Sequence, residues 1–378
     1  MKIGLLIYGS LEQHSGGYLY DRMLVEALRR HGNQVEVISL PARNYAGNLL
    51  DNLDPRLRRR LQTERYDVLL QDELCHRSLF VLNRRLQPVS VPIVAIVHHL
   101  RGSEPRARFL NGFYRRIEWS YLRTVAGAIY NSQVTRATVE GLLGVRLPGI
   151  VAHPGRDHLN GRIERGMIRE RATQAGPLRL AFVGNLIPRK GLHVLLDALE
   201  QLPPDSVRLT VIGSPDFQPS YARTIRGRIE RMNGRVRVLG SLPHSTIREH
   251  LMDAHVLVMP SAYEGFGIAY LEGMGCGLPA IATTAGGASD LVRDDENGFL
   301  IPPNDPRALS ERLARLAADR SLLARMGERA LLSFESHPTW EQSSARIAEF
   351  LKDFAERWTD PVPLSPNPTA KHYEEEDR

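Results

Sequence analysis

Glu264 and Glu272 stand eight residues apart, and Gly265-Phe266-Gly267 follows the first of them directly. A carboxylate accepts hydrogen bonds from hydroxyl groups, so two at this spacing suit a ligand with a hydroxylated group at each end, such as a sugar joined through phosphate to a nucleoside. The glycines permit close approach of the backbone, and a helix beginning after them offers unpaired N–H groups to an anion. Alone, the segment also reads as a strand–turn–helix corner with two solvated glutamates. Arg189 and Lys190 are adjacent cations five and six residues after Gly184. They form a diphosphate seat if they lie at a strand end beside a helix N-terminus, or an ordinary exposed basic loop if they do not. Gly16-Gly17 precedes a helical pattern without the Gly-x-Gly-x-x-Gly spacing of a dinucleotide fingerprint. His98 closes the apolar run Val91–Val97. There it either donates to a substrate hydroxyl or is a satisfied structural histidine, and strand alternation turns His99 the other way.

These residues need strand ends and helix starts to position them, and the hydrophobic pattern supplies both. Strands are expected at Lys2–Tyr8, Val35–Leu40, Asp67–Leu70, Pro92–His98, Gly127–Asn131 and Ile150–His153, with helices at Tyr18–His31, Leu74–Leu86, Arg108–Thr124 and Gln133–Leu143 between them. The rhythm repeats with strands at Leu178–Gly184, Arg208–Gly213, Arg235–Gly240, Val256–Met259, Pro279–Thr283 and Gly298–Ile301. Two such runs predict two doubly wound parallel-sheet domains. The polar stretch Asp157–Pro177 is expected to contain the linker. Residues 1–165 are read as the first domain and 166–338 as the second, with a helix over 339–358 bracing the first and a disordered tail over 359–378.

A chain of 378 residues with 42% hydrophobic and 24% charged content reads as a soluble globular protein. Cys75 and Cys276, far apart in sequence, read as reduced core residues of a cytosolic protein. No apolar run has the length of a bilayer span. The net charge of +6 is carried mostly by arginine, clustered at 56–60 and again from Arg101 to Arg123 among Phe109, Phe113, Tyr114, Trp119 and Tyr121. That second cluster reads as a helix for an anionic membrane face or an acidic substrate, or as one whose aromatic side packs on its own domain. No nucleic-acid motif accompanies the charge.

Together the motifs resemble the retaining, nucleotide-sugar-dependent glycosyltransferases of glycosyltransferase family 4, over about residues 1–355. Glu264 to Glu272 is similar to the family's Glu-x7-Glu motif, and Gly273–Ala282 and Ala285-Gly286-Gly287-Ala288-Ser289-Asp290 follow in the family's order. Asn297-Gly298, His98, Asn131-Ser132 and Pro154-Gly155 also stand in register. One position departs: Asn185 occupies the place where the family has an arginine, while Lys190 is kept.

The resemblance implies a GT-B fold, α/β with two Rossmann-like domains facing across a cleft, the acceptor on the first and the nucleotide sugar on the second. It implies that Glu264, Lys190 and His98 serve catalysis, with Lys190 and Arg189 on the departing diphosphate and His98 orienting the sugar or acceptor. Glu272 would hold the ribose, the N–H groups of Gly265, Phe266 and Gly267 the sugar or phosphate, and the backbone of Gly16 and Gly17 the phosphate. No metal or other cofactor is implied beyond the nucleotide-sugar co-substrate. The partners implied are a carbohydrate or lipid-linked acceptor and an anionic membrane face, with the protein in the cytoplasm or at the inner side of the membrane. A sugar-nucleotide epimerase and a non-catalytic carbohydrate-binding protein of the same fold stay open as alternatives.

Overall fold

A computed structural model describes residues 1–13, 15–86, 91–157, 163–358 and 365–366. Its contacts divide the chain into two units, one of Met1–Gly155 with Pro338–Arg378 and the other Arg156–His337. The division falls at Gly155, ten residues before the expected 165. The helix Trp340–Glu356 belongs to the first. Most of the tail 359–378, expected to be disordered, lies outside the described residues.

The first unit holds β1 (Lys2–Tyr8), β2 (Gln34–Leu40), β3 (Val68–Asp72), β4 (Ile93–Val97), β5 (Gly127–Tyr130), the short β6 (Val145–Arg146) and β7 (Gly149–Val151). Its six-stranded parallel sheet has the order β2-β1-β3-β4-β5-β7. The second unit holds β8 (Leu178–Val183), β9 (Val207–Ile212), β10 (Val236–Gly240), β11 (Val256–Val258), β12 (Ala280–Thr283) and β13 (Gly298–Ile301) in the parallel order β10-β9-β8-β11-β12-β13. Each sheet reverses its strand order once, between β1 and β3 in the first unit and between β8 and β11 in the second. Loops leaving the carboxyl ends of strands at such a reversal diverge and leave a crevice for a ligand.

The central strands β3, β4, β5, β11 and β12 are buried along their whole lengths, as parallel strands covered on both faces must be. Each unit has its own apolar core, around Leu6, Ala95 and Tyr130 in the first and Phe182, Leu257 and Phe299 in the second.

One expectation is corrected, and two helices were not anticipated. The stretch 157–177, expected to contain the linker, holds the helix Arg165–Thr173, whose Ile168, Arg171 and Ala172 are buried. Its two buried apolar residues sit among arginines, which hid the pattern; the Arg171 guanidinium donates to the carbonyls of Met252, Cys276 and Gly277. The helix expected over Leu74–Leu86 is broken into Glu73–Cys75, His76–Leu79 and Leu82–Leu86. The arginine cluster at 56–60 is a helix, Pro55–Thr63, capped by Asp54 and held by buried Leu57 and Leu61. Cys75 and Cys276 are buried free thiols.

Candidate functional site

The loops after β8 and β11 flank the reversal of the second sheet, and both belong to motifs singled out from sequence. After β8 the chain runs through Gly184 and Asn185 to a short 3-10 turn, Pro188–Lys190, and into the helix Leu192–Glu200. Gly191 joins turn to helix at φ +74, and a Cβ there would stand 2.0 Å from the carbonyl oxygen of Pro260. Only glycine allows that apposition. The Ala262 N–H then donates to the Arg189 carbonyl at 2.8 Å, so the two loops are tied backbone to backbone.

The tie brings the charges together. Lys190 Nζ lies 2.6 Å from Glu264 Oε1, and the Ser261 hydroxyl donates to the same oxygen at 2.8 Å. The Arg189 guanidinium turns inward, donating to the Tyr263 carbonyl at 2.7 Å and lying 3.7 Å from Glu264 Oε2. The plain reading of an exposed basic loop does not hold: the Arg189 and Lys190 side chains are only 20% and 17% exposed. Burial works against ionised Glu264, but Lys190, Arg189 and the hydrogen bonds from Lys190 and Ser261 outweigh it and hold the carboxyl at about 2. Burial draws Lys190 down, and Glu264 only partly restores it.

Glu264 is fixed from behind as well. Gly286, at φ +89, pairs with it in an isolated parallel bridge, and a Cβ on Gly286 would meet the Glu264 carbonyl oxygen at 2.0 Å. Gly267, at φ +93, starts the helix Ile268–Gly275, where a Cβ would strike the Tyr270 ring. Phe266 is buried in the core, leaving its backbone for any contact, while Gly265 and Gly267 are half-buried. Glu272 is buried one turn inside the helix. Asn185, standing where the resemblance implies arginine, accepts from the Ser214 N–H at 3.4 Å and so links the loops after β8 and β9.

In the first unit Gly16 and Gly17 are not a loop before the helix but its first turn, Gly16–Arg30, capped by the Ser15 side chain. A Cβ on Gly17 would stand 3.1 Å from His98 Cδ2, so these two predicted residues do meet. His98 is buried, and its Nε2 lies 3.0 Å from Asp21 Oδ1 of that helix. Burial opposes the imidazolium, but Asp21, and behind it Asp72 and Glu73, outweigh it and hold the ring up at about 9. Burial and then Asp21 push Asp72 up to about 8, against His98. His99 pairs instead with Glu104 at 2.9 Å.

Sequence reading missed Asp21, Asp72 and a second buried cluster of Glu73, His76 and Glu118. Its signal was Asp72-Glu73, two acids closing an apolar strand. His76 lies 3.0 Å from Glu73 Oε1 and 3.1 Å from the Tyr45 hydroxyl. Burial holds His76 down at about 4 and pushes Glu73 and Glu118 up to about 7 and 8. Among the described residues, the triples Asp21–Asp72–His98 and Glu73–His76–Glu118 each have ligand atoms within 4.8 Å, a spacing open to a cation. In the first, His98 Nε2 is already committed to Asp21.

The helix Arg108–Leu122 divides along its length. Glu118, Ser120, Tyr121 and Leu122 are buried, while Phe109, Leu110 and Phe113 are 76%, 37% and 47% exposed. No helix among the described residues is long and apolar enough to cross a membrane.

Residues 166–333 match the family model for glycosyl transferases group 1. The chain is 33% identical over 174 residues to the D-inositol 3-phosphate glycosyltransferase of Xylanimonas cellulosilytica, covering 45% of this chain and 41% of that protein. It spans about half the length, or less, of the curated relatives it matches. Among solved structures it is similar to sucrose-phosphate synthase from Thermosynechococcus elongatus, with a TM-score of 0.78 at 21% identity over 93% of this chain and 98% of that one. Anabaena HepE in complex with UDP-glucose gives 0.73 at 23% identity, over 93% and 100%. At these identities the likeness speaks to the fold. Residues 166–333 are therefore similar to the group 1 glycosyl transferases, in a chain with the two-sheet GT-B fold.

Proposed function

We propose that the protein transfers a glycosyl group from a nucleoside-diphosphate sugar to an acceptor hydroxyl, with retention of anomeric configuration. The observation that carries this reading is the Arg189–Lys190–Glu264 cluster at the strand reversal of the second sheet. Two cations beside that crevice suit a diphosphate. Preorganised positive charge aimed at a leaving group is worth about 10²–10³ in rate per donor. Lys190 and Arg189 take the departing diphosphate, Glu264 a donor-sugar hydroxyl and Glu272 the ribose hydroxyls. The backbone N–H groups of Gly265, Phe266 and Gly267 meet sugar or phosphate, and that of Gly17 the phosphate.

A carboxylate held at about 2 is a weak base at neutral pH. Glu264 therefore orients the sugar, and the leaving phosphate receives the acceptor proton on the face it departs from, which supports retention. His98, held as an imidazolium, is a donor without an acceptor site and orients the sugar or acceptor on the first unit. The reading needs no metal or cofactor beyond the co-substrate.

Uridine diphosphate and UDP-glucose are the first ligands to titrate, since HepE holds the latter. Calorimetry should show binding to the wild type and a loss of at least tenfold in Lys190→Ala, whose transfer rate should fall by about 10² or more. Near-wild-type transfer by Lys190→Ala would overturn its role, and interconversion of a nucleotide sugar without acceptor would favour an epimerase.

The acceptor is proposed to be a carbohydrate or lipid-linked hydroxyl presented at an anionic membrane face. Exposed Phe109 and Phe113 beside exposed Arg115 and Arg116 support that choice. Flotation with vesicles containing phosphatidylglycerol should retain the protein at low salt and release it at high salt. Loss of retention in Phe109→Ser/Phe113→Ser is expected; equal retention by that variant would remove this face as the cause.

A further inference from the structure

At the amino-terminal end of the second sheet, away from the Lys190–Glu264 loops, one face is left partly uncovered by the described residues. Arg179 of β8 is the register partner of Arg208 of β9, and Thr210 of β9 is the partner of Arg237 of β10. Register partners of a parallel pair project from the same face, as do residues two apart on one strand. These four residues therefore share a face. A doubly wound sheet normally buries both faces under helices with apolar side chains, yet here Arg179 and Arg208 are 27% and 43% exposed and Arg237 is exposed.

The shelf borders a cavity of about 250 Å³, which Arg235, His250 and Asp253 also line. At about 30 Å³ per water, that volume matches roughly eight waters, room for two phosphoryl groups. The local charge is unbalanced. Arg179 lies 3.6 Å from Asp253 and Arg208 lies 3.1 Å from Asp205, but these carboxylates are 81% and 95% exposed. Four arginines less two aspartates leave a surplus of two positive charges before His250 is counted. Arg235 is held only loosely, its NH2 reaching the Leu202 and Pro203 carbonyls at 3.5 and 3.3 Å.

We infer that this arginine shelf is a second anion-binding site, which takes a compact diphosphate-bearing molecule on Arg179, Arg208, Arg235 and Arg237 at the opposite end of the strands from the donor site. Planar guanidinium groups bind phosphoryl oxygens bidentately.

Pyrophosphate titrated into the full chain at physiological ionic strength tests the site by calorimetry and by thermal unfolding. Wild type and Lys190→Ala should both bind it and gain melting temperature. Arg208→Gln/Arg237→Gln introduced into Lys190→Ala should bind roughly a hundredfold more weakly than Lys190→Ala itself, about tenfold per lost charge-assisted contact, and gain none. An unliganded melting temperature equal to that of Lys190→Ala shows that the combined variant is folded. Absence of binding to Lys190→Ala at millimolar pyrophosphate, or equal binding with and without the two arginine substitutions, would overturn the site. Neither result depends on transferase activity, so the proposed function stands or falls separately.

Discussion

His98 shows how little a residue type says without its neighbours. The strand end suggests a group poised near neutrality, and the buried Asp21 carboxylate makes it a fixed cation instead. The consequence for stability has a definite sign. A histidine raised from its ordinary 6.5 to about 9 contributes fully below pH 6.5, and the contribution is lost as pH rises through about 9. Asp72, raised to about 8, keeps a proton that the unfolded chain releases near pH 4, so it too favours the lower pH. Urea unfolding of wild type should therefore lose on the order of 3 kcal/mol or more between pH 6 and pH 9. Asp21→Asn should flatten most of that slope, and an unchanged slope would show that the pair does not govern it. Glu264 works the other way: its stabilisation is present above the ordinary carboxyl range and lost as pH falls through about 2.

At the scale of the element, the glycines between strands decide where the charges go. Gly286→Ala would place a Cβ 2.0 Å from the Glu264 carbonyl oxygen in a left-handed backbone, at a cost of about 1–3 kcal/mol or more. Thermal unfolding should drop accordingly, and donor binding should fall with it because the Glu264 loop must shift. Gly227, inside the helix Pro219–Glu230 with open space around it, is the contrast. Gly227→Ala should gain about 0.5–1 kcal/mol and leave binding unchanged. A stable, fully binding Gly286→Ala would mean that the bridge does not position Glu264.

At the scale of the whole molecule, the chain leaves the first unit at Gly155 and returns at Pro338. The return is a packing event: Trp340 is buried, its ring lies edge-on to Tyr20 at 5.6 Å, and Gly155 leaves no room for a Cβ against its backbone. Tyr20 in turn lies edge-on to His98 at 5.3 Å and donates to the Ala152 carbonyl. Trp340→Ala should therefore destabilise the first unit by about 3–5 kcal/mol, read by hydrogen exchange in β1 and β4 with the second sheet unaffected. Equal loosening of both sheets would contradict the division into units.

Alternation and apolar runs are local properties, so the sequence by itself determined both parallel sheets and most of their helices to within a few residues. The Glu264–Glu272 spacing and the Arg189-Lys190 pair were legible for the same reason. Helices stabilised by few apolar residues among many arginines, such as 55–63 and 165–173, were not, because their stability comes from partners distant in sequence. Tertiary structure alone decided that Arg189 turns inward, that Asn185 joins two loops, and that Asp21, Asp72 and His98 share a buried charge. Those facts depend on distances between segments tens of residues apart, which no local pattern encodes.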